Sequence, residues 1–231
     1  MQRCVLAVTG LSIEARIARG PGVLAVCGGG DHRSLAAKIE DAIANGAAAI
    51  MSFGIAGALE PSLAAGTCVI ARSVIDGDTS WPVDTAWSDA IAVKLTQAIR
   101  ADIAGVDQVL GEVSAKRALF VRSGAATVDM ESHIAARAAA EHGLPFAALR
   151  VICDPALRAL PRAAAYAMRA DGSVDVTRVL KSLLKDPAQL PLLARAALDG
   201  RIALRELRRG RRRLGDRLGF LDFDQLALDV L

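Results

Sequence analysis

The chain of 231 residues can bury one sizeable core but not two, and with 53% apolar residues against 3% aromatic ones that core must be built from Ala, Val, Leu and Ile. Its net charge of +3 is unevenly placed: eight arginines between Arg201 and Arg217 face only Glu206 and Asp216, so the remainder of the chain is net acidic. The basic run has few interleaved aromatics and matches no nucleic-acid module, which excludes nucleic acid as its expected partner.

The N-terminal apolar run reaches Gly10 too soon for a cleavable signal, so a cytoplasmic location is expected. Short apolar strands are predicted near 4–9, 23–27, 47–53 and 67–72, and again over Phe146–Cys153; their runs are too continuous for surface strands. The weakly charged stretch from Ala42 to Leu59 is broken by Asn45, Gly46, Ser52, Gly54 and Gly57, which argues against a membrane span. Helices are predicted over Ser34–Asn45, over Ser88–Ile103 from the spacing of Ile91, Leu95 and Ile99, and over Asp129–His142, where Gly143 and Pro145 supply the stop. Further helices are expected over Val174–Leu184 and Gln189–Leu198. Beyond them lies a basic tail, helical in part, with breaks at Gly210, Gly215 and Gly219. The alternation of strand and helix predicts an α/β fold, with residues 1–198 as the catalytic domain and 199–231 as the tail.

Cys4, Cys27, Cys68 and Cys153 form no CxxC pair, and His32, His133 and His142 lie far apart without a metal-binding motif. No metal and no cofactor are therefore expected.

Three clusters carry chemistry. In FGIAGAL (Phe53–Leu59), Gly54 and Gly57 lack a Cβ and let the backbone turn sharply beside a ligand. In TVDMES (Thr127–Ser132), Asp129 reads as an N-cap and Glu131 as a first-turn carboxylate whose two oxygens suit vicinal hydroxyls. In VICDPA (Val151–Ala156), Asp154 ends a buried strand, where partial burial raises a carboxyl pKa and lets it hold a proton.

In order and spacing these clusters resemble the purine nucleoside phosphorylase and nucleosidase superfamily, including its methylthioadenosine/S-adenosylhomocysteine nucleosidase branch, over roughly residues 1–185. The resemblance implies a three-layer α/β/α fold with a central mixed sheet. It implies cleavage of a purine N-glycosidic bond, with Glu131 on the ribose hydroxyls, Met130 against the sugar, and Gly54, Ile55 and Gly57 bordering the ribose. Asp154 would be the acid that protonates N7 of the departing base. Hydrolytic relatives activate water with an N-terminal glutamate, for which Glu14 is the candidate, although an ungapped register puts Ala15 there. Phosphorolytic relatives hold phosphate with arginines and a hydroxyl; Ser52 and Ile55 occupy the turn here, and Arg16 and Arg33 are the candidate cations, so phosphate as co-substrate stays open. The combination with an Arg-rich tail looks most like the hopanoid-associated phosphorylase group, which implies adenine release from adenosylhopane. A methylthioadenosine/S-adenosylhomocysteine nucleosidase and a non-catalytic nucleoside-binding domain are the alternatives. A homodimer or higher homo-oligomer is expected, because relatives complete the pocket with a neighbouring subunit. Arg201, Arg205, Arg208 and Arg212 form one helical stripe followed by Phe220, Leu221, Phe223 and Leu226, which suits peripheral contact with an anionic inner-membrane surface.

Overall fold

The computed structural model describes residues 4–161, 169, 171–173, 175, 177, 181 and 185–220. The apolar runs become β1 (Cys4–Thr9), β2 (Val23–Cys27), β3 (Ala47–Ala58), β4 (Cys68–Asp76) and β8 (Phe146–Asp154), joined by β5 (Thr79–Pro82), β6 (Ile99–Gly105) and β7 (Thr127–Asp129). The helices are α1 (Ser12–Ala18), α2 (His32–Ala44), α3 (Thr85–Lys94), α4 (Val113–Ser123), α5 (Ser132–Glu141) and α6 (Leu190–Leu214).

The strands make one mixed eight-stranded sheet. β1 runs parallel to β2 and β3, and β3 runs parallel to β8. Beyond β8 lie β4, β6 and β7, and β7 pairs back antiparallel on the end of β3, so β3, β8, β4, β6 and β7 close on one another. The twelve-residue β3 makes this closure geometrically possible, since its first half pairs with β1 and its last residues with β7. Helices cover both faces. Ala15 and Ala18 of α1, Trp87 and Ile91 of α3, and Ala203 and Leu207 of α6 fill one core; Leu35 and Ile39 of α2 with Ile134 and Ala138 of α5 fill the other. The α/β/α layering with a mixed central sheet is as expected, and alanine-rich α5 lies close on the strands because its buried side chains are small.

Three local expectations are corrected. The helix predicted over Ser88–Ile103 stops at Lys94, and Ile99 instead opens β6; the spacing of Ile91, Leu95 and Ile99 mimics a helix across a turn. Asp129 ends β7 and Glu131, not Asp129, is the N-cap of α5, although Asp129 Oδ1 still accepts from the backbone N–H of Glu131 (2.8 Å) and Ser132 (2.7 Å). This leaves the Glu131 carboxyl free to point elsewhere.

The third correction concerns the C-terminal region. Gly210 does not break the helix: α6 is continuous through it and ends at Gly215. The domain boundary expected after residue 198 falls inside α6, whose Ala203, Leu207 and Leu214 are fully buried. Lys94 Nζ donates to Leu214 O (3.0 Å), Trp87 Nε1 to Leu218 O (3.1 Å), and Arg211 Nε to Ala18 O (2.7 Å), so residues 199–220 are packed on the domain. Most of the expected helix Val174–Leu184, and the residues Leu221, Phe223 and Leu226, lie outside the described set. Among the described residues, no helix is long and apolar enough to cross a membrane.

Candidate active site

The parallel β1, β3 and β8 bring their C-terminal ends together, and the chain leaving them surrounds a cavity of about 490 Å³. Its polar wall carries Glu14, Asp129, Glu131 and Asp154; its apolar wall includes Leu11, Val106, Val109, Leu110, Leu160 and Leu193.

Glu14 sits in the first turn of α1 and is buried. Its Oε2 accepts from the backbone N–H of Gly10 (3.0 Å) and Leu11 (2.7 Å), and its Oε1 from that of Ile55 (2.7 Å). Burial raises its pKa, an effect only partly offset by Arg150 and the three N–H groups. The glycines are explained by this packing. A Cβ on Gly54 would lie 2.7 Å from Glu14 Oε1 and 2.8 Å from Arg150 Nη1, and one on Gly10 would lie 2.6 Å from Glu131 Oε1.

Arg150, wholly buried in β8, is the hub of this wall. Its Nε lies 2.9 Å from Asp129 Oδ2 and its Nη2 3.5 Å from Glu131 Oε2, while Nη2 donates to Ser52 Oγ (2.5 Å) and Ser132 Oγ (3.2 Å). Burial works against its charge, but Asp129, Glu131 and Glu14 outweigh that and hold it protonated. Burial also pushes Glu131 up to about 8, against the pull of Arg150 and with help from Asp129 and Glu14.

Across the cavity, a register shift between β3 and β8 sets Asp154 opposite Gly57, whose missing Cβ would lie 3.7 Å from Asp154 Oδ2. Lys116 of α4, itself buried, lies 2.7 Å from that oxygen and also donates to Arg158 O (2.8 Å) and Pro155 O (3.2 Å). Burial raises the Asp154 pKa more than Lys116 and Arg158 lower it. Arg158 in turn pairs with Asp199 of α6 at 2.5 Å, which ties that helix to the acid's own loop.

The fold thus gathers Glu14, Gly57, Ile55, Met130, Glu131 and Asp154 around one cavity, with Gly54 packed directly behind Glu14. It does not bring in Arg16, which is exposed and lines a separate surface cavity with Arg208, Arg211 and Arg212, nor Arg33, which is exposed on α2. The cations beside the cavity's acids are Arg150 and Lys116, and sequence reasoning missed both. A lone arginine inside the apolar run Phe146–Cys153 was a usable signal, because a buried arginine requires anionic partners. Lys116 had none, since its helix reads as an ordinary solvated one.

Opposed acids at the strand ends of a three-layer α/β frame, one set around a buried arginine and one beside an apolar wall, define an enzyme of the nucleoside phosphorylase and nucleosidase class. Residues 9–185 match the model of the Phosphorylase superfamily, and the chain belongs to that family. Solved structures agree in fold. Futalosine hydrolase of Helicobacter pylori aligns at 17% identity and TM-score 0.62, covering 80% of this chain and 99% of its own. The 5′-methylthioadenosine/S-adenosylhomocysteine nucleosidase of the same organism aligns at 13% and 0.63, covering 91% and 98%. The corresponding nucleosidase of Colwellia psychrerythraea, solved with adenine, aligns at 16% and 0.60, covering 79% and 96%. No curated protein matches the sequence.

Proposed function

We infer that the protein hydrolyses the N-glycosidic bond of a purine nucleoside carrying a bulky apolar 5′ substituent. The observation that carries this reading is the pairing of Glu14 and Glu131 around Arg150 on one side of the cavity with Asp154 on the other. Glu131 accepts the ribose hydroxyls, with Met130 against the sugar. Asp154, oriented by Lys116, delivers a proton to the base nitrogen as its bond to C1′ breaks. Positive charge developing at C1′ is stabilised by the carboxylates facing it, and Glu14 takes the proton of the attacking water.

Charge favours water over phosphate as the nucleophile. Arg150 is already shared among Asp129, Glu131 and Glu14, so an entering phosphate dianion would meet carboxylates without a free cation to offset them. The apolar wall speaks for the 5′ substituent: Leu110, Leu160 and Leu193 offer no partner to a polar group, whereas a hydrocarbon gains about 25 cal/mol per Å² buried there. Adenosylhopane is the substrate we propose, with a methylthioadenosine-type nucleoside as the smaller alternative. The exposed face of α6, bearing Arg201, Arg205, Arg208, Arg209, Arg212 and Arg213, would rest on an anionic bilayer while the opposite face stays packed.

The test is adenine release from adenosine and from 5′-alkyl adenosines of increasing chain length, with and without phosphate. Release that is independent of phosphate, leaves a free reducing sugar and rises in kcat/KM with alkyl length is expected. A strict phosphate requirement overturns hydrolysis, and preference for unsubstituted adenosine overturns the apolar 5′ assignment.

A further inference from the structure

We propose that His32, His133 and Asp107 form a binding site for a divalent first-row transition metal, beside the catalytic cavity and separate from its acids. Their sequence spacing gave no such hint, since the two histidines are a hundred residues apart and neither sits in a metal motif. The fold brings them together. His32 opens α2, His133 lies in the first turn of α5, and Asp107 follows β6.

The geometry is that of ligands around one point. His32 Nδ1 lies 3.1 Å and His133 Nε2 3.2 Å from the same oxygen, Asp107 Oδ1, and the three donor atoms all fall within 4.8 Å of one another. Donors bonded at about 2.0–2.1 Å to one ion are separated by about 3.0 Å in octahedral and about 3.3 Å in tetrahedral ligation. The rings meet edge to face, with centroids 5.7 Å apart and planes at 84°, which leaves both nitrogens free to converge on an ion. Gly105 makes the approach possible, because a Cβ there would collide with that of His133.

Hydrogen bonding alone accounts for the cluster poorly. Two imidazoles compete for one carboxylate oxygen, and their other nitrogens, His32 Nε2 and His133 Nδ1, are buried without a partner among the described residues. Two imidazole nitrogens and one carboxylate oxygen select zinc, nickel or cobalt over magnesium or calcium, which prefer all-oxygen ligation. The same unpartnered nitrogens limit affinity, because outer hydrogen bonds to ligating histidines are typically worth about 10–100-fold in binding. Asp107 is largely exposed, so an ion has a route in and an open coordination position towards solvent.

Such an ion would act on the cavity wall. The segment that bears Asp107 continues into Gln108, Val109 and Leu110, which line the cavity, and Val106 N is bonded to Asp129 O at 3.0 Å. Metal binding would therefore staple this wall to α2 and α5.

The test uses tag-free, chelator-stripped protein titrated with zinc chloride by calorimetry and with cobalt chloride by visible absorption. One ion per chain is expected, with a cobalt spectrum of nitrogen and oxygen ligation. Asp107→Asn, at an exposed position, and His32→Gln, at a partly exposed one, should each weaken zinc binding at least tenfold while preserving the far-UV circular dichroism. Absence of saturable binding up to about 100 μM zinc, or binding undiminished in both folded variants, overturns the proposal.

Discussion

Replacing Lys116 by methionine removes a buried ammonium and little volume, so it isolates what the charge does for Asp154. The ammonium is satisfied by Asp154 Oδ2 at 2.7 Å, Arg158 O at 2.8 Å and Pro155 O at 3.2 Å. A hydrogen bond to a charged partner contributes about 1.5–3 kcal/mol, and one pKa unit corresponds to about 1.36 kcal/mol, so losing the pair should move Asp154 up by about 1–2 units. The direction is upward because burial already raises this carboxyl and Lys116 is the main influence opposing it. If protonated Asp154 is the working acid, activity falls as pH rises through its pKa, and the alkaline limb of the kcat profile shifts to higher pH in the variant. Stability responds in the same sense. The folded variant holds the Asp154 proton to higher pH than folded wild type does, so its deficit against wild type grows as pH rises from the wild-type folded value to the variant's higher one. Lys116→Arg, which keeps the charge, should stay nearer the wild-type profile. An unchanged alkaline limb in a Lys116→Met protein that still unfolds cooperatively would refute the assignment of Asp154 as the acid.

Assayed above pH 8, where Glu131 is ionised, Glu131→Gln should lose roughly 10–150-fold in kcat/KM on a ribonucleoside, from about 1.5–3 kcal/mol of charge-assisted bonding, and should no longer distinguish it from the 2′-deoxyribonucleoside; retained discrimination counts against the ribose role. Because burial raises Glu14, the folded protein binds more protons than the unfolded chain above the ordinary carboxylate value, and stability falls as pH climbs from 4.5 through the raised value. Glu14→Gln should flatten that slope in urea titrations and abolish the acid limb of activity, and equal slopes would show that Glu14 does not carry the buried proton. Leu207→Ala, which empties a fully buried position of α6, should cost about 2–5 kcal/mol by chemical denaturation, and a change within error would mean that the helix does not stabilise the domain. Sedimentation with anionic liposomes should be lost at high salt and in an Arg205→Glu, Arg208→Glu, Arg212→Glu triple variant, since each arginine contributes about 1 kcal/mol at such a surface. Charge reversal suits this test better than truncation after residue 198, which would remove core residues of α6.

What could be read in advance divides by range. The strands β1, β2, β3, β4 and β8 were legible because a continuous apolar run reports burial locally. β6 was not, because Leu95 to Ile99 keeps helical spacing across a turn, and β7 is too short to leave a pattern. The continuity of α6 was hidden by its glycines: Gly210 costs a helix about 1 kcal/mol relative to alanine, but burial of Ala203, Leu207 and Leu214 on either side of it outweighs that propensity. The acids Glu131 and Asp154 stood out because each belongs to a short motif. Their cations did not, because Arg150 and Lys116 meet them only through strand register and the packing of α4 beside Asp154. The two halves are nevertheless bound by one argument. Glu14, Asp129 and Glu131 are costly to bury together in ionised form unless a buried positive charge lies nearby, so a chain that keeps such acids charged in its interior requires an arginine or lysine there. Arg150, the only charged residue between Phe146 and Cys153, is where that requirement surfaces in the sequence. An isolated cation within an apolar strand is therefore evidence about acids elsewhere in the chain.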